Sequence, residues 1–132
     1  MTAEESVARR VRFFTLCMAV AFVAIGLSKI LGFSPEYAFF SELGLPRGMV
    51  PVVGVIEIIV GAMCFHRRSQ SYGACGVIML MGAAALTHVM SGARLYMLFI
   101  NAYFIVAAIW VVRMERPRFL QVGPPETTVR HA

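Results

Sequence analysis

Four long apolar runs, separated by short polar stretches, constrain this chain more than any other feature. Residues 13–28 carry no charge, and the run continues past Lys29 to residue 33. Residues 48–65 are interrupted by the single charge of Glu57. Residues 69–93 hold one histidine and no formal charge, and residues 95–112 are again uncharged. At 1.5 Å per residue, each run is long enough to cross ~30 Å of hydrocarbon as a helix. A backbone in lipid must satisfy all its N–H and C=O groups internally, which leaves helices or closed barrels. Strand-length alternation is absent from these runs. The expectation is therefore an all-α chain, an integral membrane antiparallel four-helix bundle. Its helices are expected over about 13–33, 48–66, 70–91 and 95–113, in a single domain over 1–118, with a polar C-terminal tail over 119–132.

Composition agrees. Hydrophobic residues make up 59% of the chain and charged residues 14%, with a mean hydropathy of +0.76. Soluble domains run at about 45–50% and about 25%. This excludes a soluble enzyme and a disordered chain. The formal charge of +5 raises the question of nucleic acid, but the arginines are placed otherwise. Arg9, Arg10 and Arg12 precede the first run, Arg67 and Arg68 lie in the second connection, and Arg113, Arg116 and Arg118 follow the last. No basic face remains for a nucleic acid. By the positive-inside rule both termini face the cytoplasm, and the loops at 34–49 and 91–94, with Arg47 and Arg94, face outward. The localisation expected is the bacterial inner membrane. The Ala19-Val20-Ala21 stretch is similar to a signal-peptide cleavage site, but the apolar segment before it is short, and positive-inside anchoring accounts better for Arg9, Arg10 and Arg12. Cys17, Cys64 and Cys75 form no Cys-x-x-Cys and no zinc spacing, so they read as buried apolar thiols.

Polar residues inside spanning helices are expensive and normally face partners. This chain has Lys29, Glu57, His88 and Asn101, one in each run. Counting along alternating helices brings all four into the outer half of the membrane, with Glu57 roughly 10 Å below the outer end of its helix. They are the candidates for ligand binding or proton relay. Gly54, Glu57 and Gly61 share a helix face, as do Gly26 and Lys29. Glycines there permit close helix approach. Met18, Phe22 and Ile25, with Gly26, Gly54 and Gly61, are the expected pocket wall. Competing readings stand beside these. Lys29 can snorkel to the headgroups or pair structurally with Glu57. His88 can serve as a hydrogen-bonded interface residue and Asn101 as helix–helix glue. His66 and His131 read as solvent residues and Arg94 as an interfacial charge. One carboxylate and one histidine at that depth do not make a metal site.

The segments Gly26-Leu27-Ser28-Lys29-Ile30-Leu31, Leu45-Pro46 and Gly54-Val55-Ile56-Glu57-Ile58-Ile59-Val60-Gly61, with His88, resemble the DoxX-like family of small membrane proteins, related to the NACHO-type transmembrane chaperones. The resemblance covers about residues 13–115 and itself implies an antiparallel four-helix bundle. Some of that family are subunits of thiosulfate:quinone oxidoreductases, and NACHO-type relatives assist ion-channel assembly. The resemblance places Lys29, Glu57 and His88 in the shared pattern. It implies an accessory or redox-associated subunit that binds a quinone or lipid-like molecule in an outer-half polar pocket, where Glu57 and His88 relay protons. The sequence has no haem signature, iron–sulfur spacing or nucleotide loop. No cofactor is encoded and no catalytic motif is self-contained, so an enzymatic role is that of part of a quinone-linked membrane oxidoreductase. Two alternatives remain. One is a chaperone-like assembly factor that uses the Gly54/Gly61 and Gly73/Gly76 faces. The other is a small proton-coupled transporter. Expected partners are the lipid bilayer and a membrane protein or a second copy of the chain.

Overall fold

The structure is a computed structural model that describes residues 2–92 and 95–115. Arg94, Arg116, Arg118, Arg130, His131 and the tail over 119–132 lie outside the described residues. The described chain is all-α, with five helices: α1 (Ala3–Ile30), α2 (Glu36–Glu42), α3 (Met49–Phe65), α4 (Gln70–Met90) and α5 (Leu95–Met114). Three of them, α1, α4 and α5, are long and apolar enough to cross a membrane. α3 has 17 residues, about 25 Å of helix. Pro46 and Gly48 precede its start, and it ends where His66 turns to extended backbone (ψ 124°) before Arg67 and Arg68.

Two elements differ from the sequence expectation. α1 begins at Ala3, well before the apolar run. A capping box starts it: Thr2 Oγ1 accepts from the Glu5 amide, and the Glu5 carboxylate accepts from the Thr2 amide. The basic triplet Arg9, Arg10 and Arg12 is therefore helical. α1 ends at Ile30 rather than 33, because Gly32 takes φ +82° and closes the helix. The Phe33 amide donates to the Ser28 carbonyl at 2.9 Å and the Gly32 amide to the Lys29 carbonyl at 3.3 Å, a Schellman closure. The second difference is α2, inside the connection read as a loop over 34–49. Ser34 Oγ accepts from the Glu36 amide at 3.3 Å, and Pro35 cannot cost a helix-start hydrogen bond. Gly44 (φ +70°) ends α2 by the same closure, with Leu45 N–H donating to Phe40 O.

Glycines set the packing of α1 on α3. A Cβ on Gly54 would lie 2.6 Å from the Gly26 carbonyl oxygen, and one on Gly61 would lie 3.0 Å from that of Ala19. Only hydrogen fits at these crossings, and the two contacts fix an antiparallel register. α3 and α4 are likewise locked, since a Cβ on Gly73 would meet Cys64 Sγ at 2.6 Å and one on Gly76 would meet Val60 at 2.9 Å. α5 runs against α1 through edge-on ring pairs, Phe22 with Phe104 (5.7 Å) and Phe14 with Trp110 (5.5 Å). At the end that carries the arginines, Arg12 donates to the Phe65 carbonyl (2.7 Å) and to Gln70 Oε1 (3.1 Å), and Gln70 donates to Glu115. This network ties α1, α4 and the end of α5 together.

The apolar core lies toward that same end. It comprises Val11, Met18, Ala19, Phe22, Val60, Cys64, Ala74, Val77, Ala108 and Val111. The α1–α3 seam is buried along its length, but α4 has no buried residue beyond Val77, and α5 has only Asn101 before Ala108. All four long helices contribute to the core at one end, whereas toward the other end, which carries the polar residues, α4 and α5 bury little besides Asn101.

Candidate functional site

Lys29 and Glu57 meet directly. Lys29 Nζ lies 2.5 Å from Glu57 Oε1 and 2.8 Å from Glu36 Oε2. Helical side chains lean toward their own helix N-terminus. Because α1 and α3 run in opposite directions, Lys29 and Glu57 lean toward one another, and they converge at the Gly26–Gly54 crossing. A Cβ on Gly54 would sit 2.9 Å from Lys29 Cβ, so the glycine makes room for the lysine stem. Lys29 is 2% exposed and Glu57 4%. That burial excludes snorkelling of Lys29 and settles the open question of its partner. A buried charge pair is held only where geometry and further bonds offset desolvation, and Glu36 supplies such a bond.

Glu36 is the site residue that sequence reasoning missed. It stands in the first turn of α2, half-buried, and α2 is fastened over the end of α1 by a second bond, in which Tyr37 Oη donates to the Lys29 carbonyl at 2.7 Å. The readable signal was the Ser34-Pro35-Glu36 helix start; nothing local to residue 36 reports its reach to Lys29.

His88 sits in the last turn of α4. Its ring meets Phe39 of α2 edge-on at 4.9 Å. Between α2 and the α4–α5 corner lies a groove of about 510 Å³, with Glu36, Phe39, Glu42, His88, Tyr96 and Met97 in its lining. Glu36 thus belongs both to the buried ion cluster and to the groove wall. Asn101 is buried on the neighbouring α5. By the register of the Phe22–Phe104 pair, it lies about one turn below Lys29.

The six residues expected to wall a pocket are placed differently. Met18 and Phe22 belong to the apolar core, Ile25 is exposed, and Gly26, Gly54 and Gly61 are taken up by helix crossings. The wall of the groove comes from α2 and the ends of α4 and α5, because close packing of α1 on α3 leaves no space between them.

Among the described residues, three buried polar atoms have no hydrogen-bond partner: Glu57 Oε2, His88 Nδ1 and Asn101 Nδ2. They come from three helices, α3, α4 and α5. Leaving such atoms unpaired costs about 1–3 kcal/mol each, so each calls for a partner. Together they offer an acceptor, an amide donor and a ring nitrogen able to serve as either.

The chain matches the DoxX-like family over residues 13–112 and belongs to that family. Searches of curated proteins and of solved structures each return no significant match.

Proposed function

We propose that this member of the DoxX-like family is a four-helix integral membrane protein that binds a quinone- or lipid-like molecule in the outer half of the bilayer, as an accessory or redox-associated subunit. The observation that carries the reading is the set of unpartnered buried atoms on Glu57, His88 and Asn101. An amphipathic molecule with both hydrogen-bond donors and acceptors would satisfy them, and its apolar part would lie along the little-buried faces of α4 and α5. The half-open groove beside His88 is within the usual size range of ligand sites, about 300–1,000 Å³. α3 serves as the fourth span, since 17 residues reach the lower end of the spanning range, roughly 17–25. Arg9, Arg10, Arg12, Arg67, Arg68 and Arg113 mark the end that carries the core as cytoplasmic, which puts α2 at the outer interface and both termini inside.

The chain has no electron carrier of its own in its sequence, so any redox step is driven by a partner protein. Gly54, Gly61, Gly73 and Gly76 are all filled by the chain's own helices, so the alternative assembly-factor role would use the intramembrane polar residues rather than these glycine faces to meet a client.

Native mass spectrometry of protein extracted gently from its own membrane, beside Glu57→Gln, tests the reading. A bound small molecule in the wild type that is lost or depleted in the variant supports it. Equal bare masses for both would overturn it.

A further inference from the structure

α2 is fastened unlike the other helices. None of its residues is buried, whereas each longer helix contributes buried side chains to the bundle. Among the described residues, its side-chain bonds to the other helices both end on Lys29: Glu36 Oε2 lies 2.8 Å from Nζ, and Tyr37 Oη donates to the Lys29 carbonyl at 2.7 Å. A third attachment is the edge-on contact of Phe39 with His88 at 4.9 Å. Both ends of α2 turn on glycines in the left-handed region, Gly32 at φ +82° and Gly44 at φ +70°. A Cβ on either would meet nothing within 4 Å, so neither turn is wedged against a neighbour. Toward α4 and α5, α2 borders the groove of about 510 Å³. Short elements bounded by such turns move as units, with the terminal residues absorbing the change in φ and ψ. A segment with no buried side chain also opens at lower cost than the whole fold. Beside its first turn, Lys29 Nζ lies between the carboxylates of Glu36 and Glu57, and Lys29 is 2% exposed.

We infer that α2 is a hinged strap, latched through Glu36 and Tyr37 to Lys29 and through Phe39 to His88, and that its lifting about Gly32 and Gly44 opens the buried Lys29–Glu57 pair to molecules outside the bundle. The latch and the covered group are the same residue. Whatever draws Lys29 away from Glu36 loosens the strap, and whatever holds the strap down holds Lys29 against both carboxylates, since coupling between two sites is reciprocal. The strap does not depend on the ligand reading. A gated Lys29, found together with equal bare masses for wild type and Glu57→Gln, would keep the strap and remove the ligand.

Lys29 is the one lysine in the sequence, so its acetylation is a clean readout. The full chain in dodecyl maltoside micelles is treated with sulfosuccinimidyl acetate, and modification of Lys29 is timed by peptide mass, with an SDS-unfolded sample setting the intrinsic rate. Tyr37→Phe removes a bond to the Lys29 carbonyl and leaves the amine and its carboxylates untouched. It should speed acetylation roughly fivefold, the weight of one hydrogen bond. Phe39→Cys/His88→Cys, in a chain whose native cysteines are replaced, removes the third attachment and should also speed it. Closing that pair with a reducible bis-methanethiosulfonate bridge should slow acetylation at least tenfold, and reduction should restore it. Gln70→Ala is the control for global unfolding. It breaks the network with Arg12 and Glu115 at the opposite end and should leave the Lys29 rate near that of the wild type. Equal rates for bridged and reduced protein would overturn the strap, as would a Tyr37→Phe rate equal to the wild type. A rate raised as much by Gln70→Ala as by Tyr37→Phe would also overturn it, since Lys29 would then be reached through unfolding of the whole bundle.

Discussion

Removing Lys29 should cost far more than removing the charge of Glu57, although the two form one ion pair. After Lys29→Met, Glu57 keeps no partner among the described residues: Oε1 bonds only to Lys29, Oε2 has no bond, and the residue is 4% exposed. Stranding a buried charge in this way costs about 3–5 kcal/mol. After Glu57→Gln, the amide oxygen can still accept from Lys29, and Lys29 keeps Glu36 at 2.8 Å. The loss is that of exchanging a charge-assisted bond for a neutral one, about 1–2 kcal/mol. The gap of about 2 kcal/mol is roughly a 30-fold difference in the folding equilibrium. The double variant Lys29→Met/Glu57→Leu removes both charges and should recover most of the loss, since apolar replacements of a buried pair are often neutral. Glu36 tolerates this because it is half-exposed and can hydrate. Reversible unfolding in mixed dodecyl maltoside–SDS micelles, followed by far-UV circular dichroism, measures all three. Equal losses for the two single variants would refute the role given to Glu36 as second partner, and a double variant worse than Lys29→Met would refute the stranded-charge argument.

Three further outcomes follow from the packing. Gly54→Ala must push α1 from α3 and should destabilise by about 1–3 kcal/mol, whereas Gly82→Ala, where an added methyl meets nothing within 4 Å, should be neutral or stabilising by up to about 1 kcal/mol; the same unfolding assay compares them. Arg12→Lys should lose about 1 kcal/mol, because a single ammonium does not reproduce the fork that reaches both Phe65 O and Gln70 Oε1; near-wild-type stability would show that network to be dispensable. For topology, with the native cysteines replaced, Ser41→Cys on the exposed face of α2 should react with a membrane-impermeant maleimide in intact cells or spheroplasts, and Arg67→Cys only after permeabilisation; the reverse pattern would invert the proposed orientation.

Helical class and the polar set were legible because both rest on local rules. A 20-residue apolar run has few alternatives in lipid, and the 3.6-residue period puts Gly54, Glu57 and Gly61 on one face whatever lies opposite. That Lys29 and Glu57 lie at similar depth was legible for a related reason, since helices of known rise joined by short turns return to the same level, but whether the two touch was not. The extension of α1 back to Ala3 was local too, written in Thr2 and Glu5, but overshadowed by the apolar run as the marker of a helix.

What tertiary structure alone decided is lateral. Depth follows from counting residues, but which helices touch, and how closely, does not. Met18 and Phe22 read as pocket wall because they share the Lys29 face, yet contacts from α3, α4 and α5 made that stretch core and moved the open space to the other end. Glu36 was passed over because its partner lies on another helix, brought within reach only when Gly32 turns the chain and Tyr37 pins α2 back onto α1. The sequence by itself determined the kinds of helix and the height of each charge, since those depend on residue period and on the cost of polar groups in hydrocarbon. Packing determined the partners, since a hydrogen bond forms over about 3 Å and no rule of sequence spacing carries that distance across a turn.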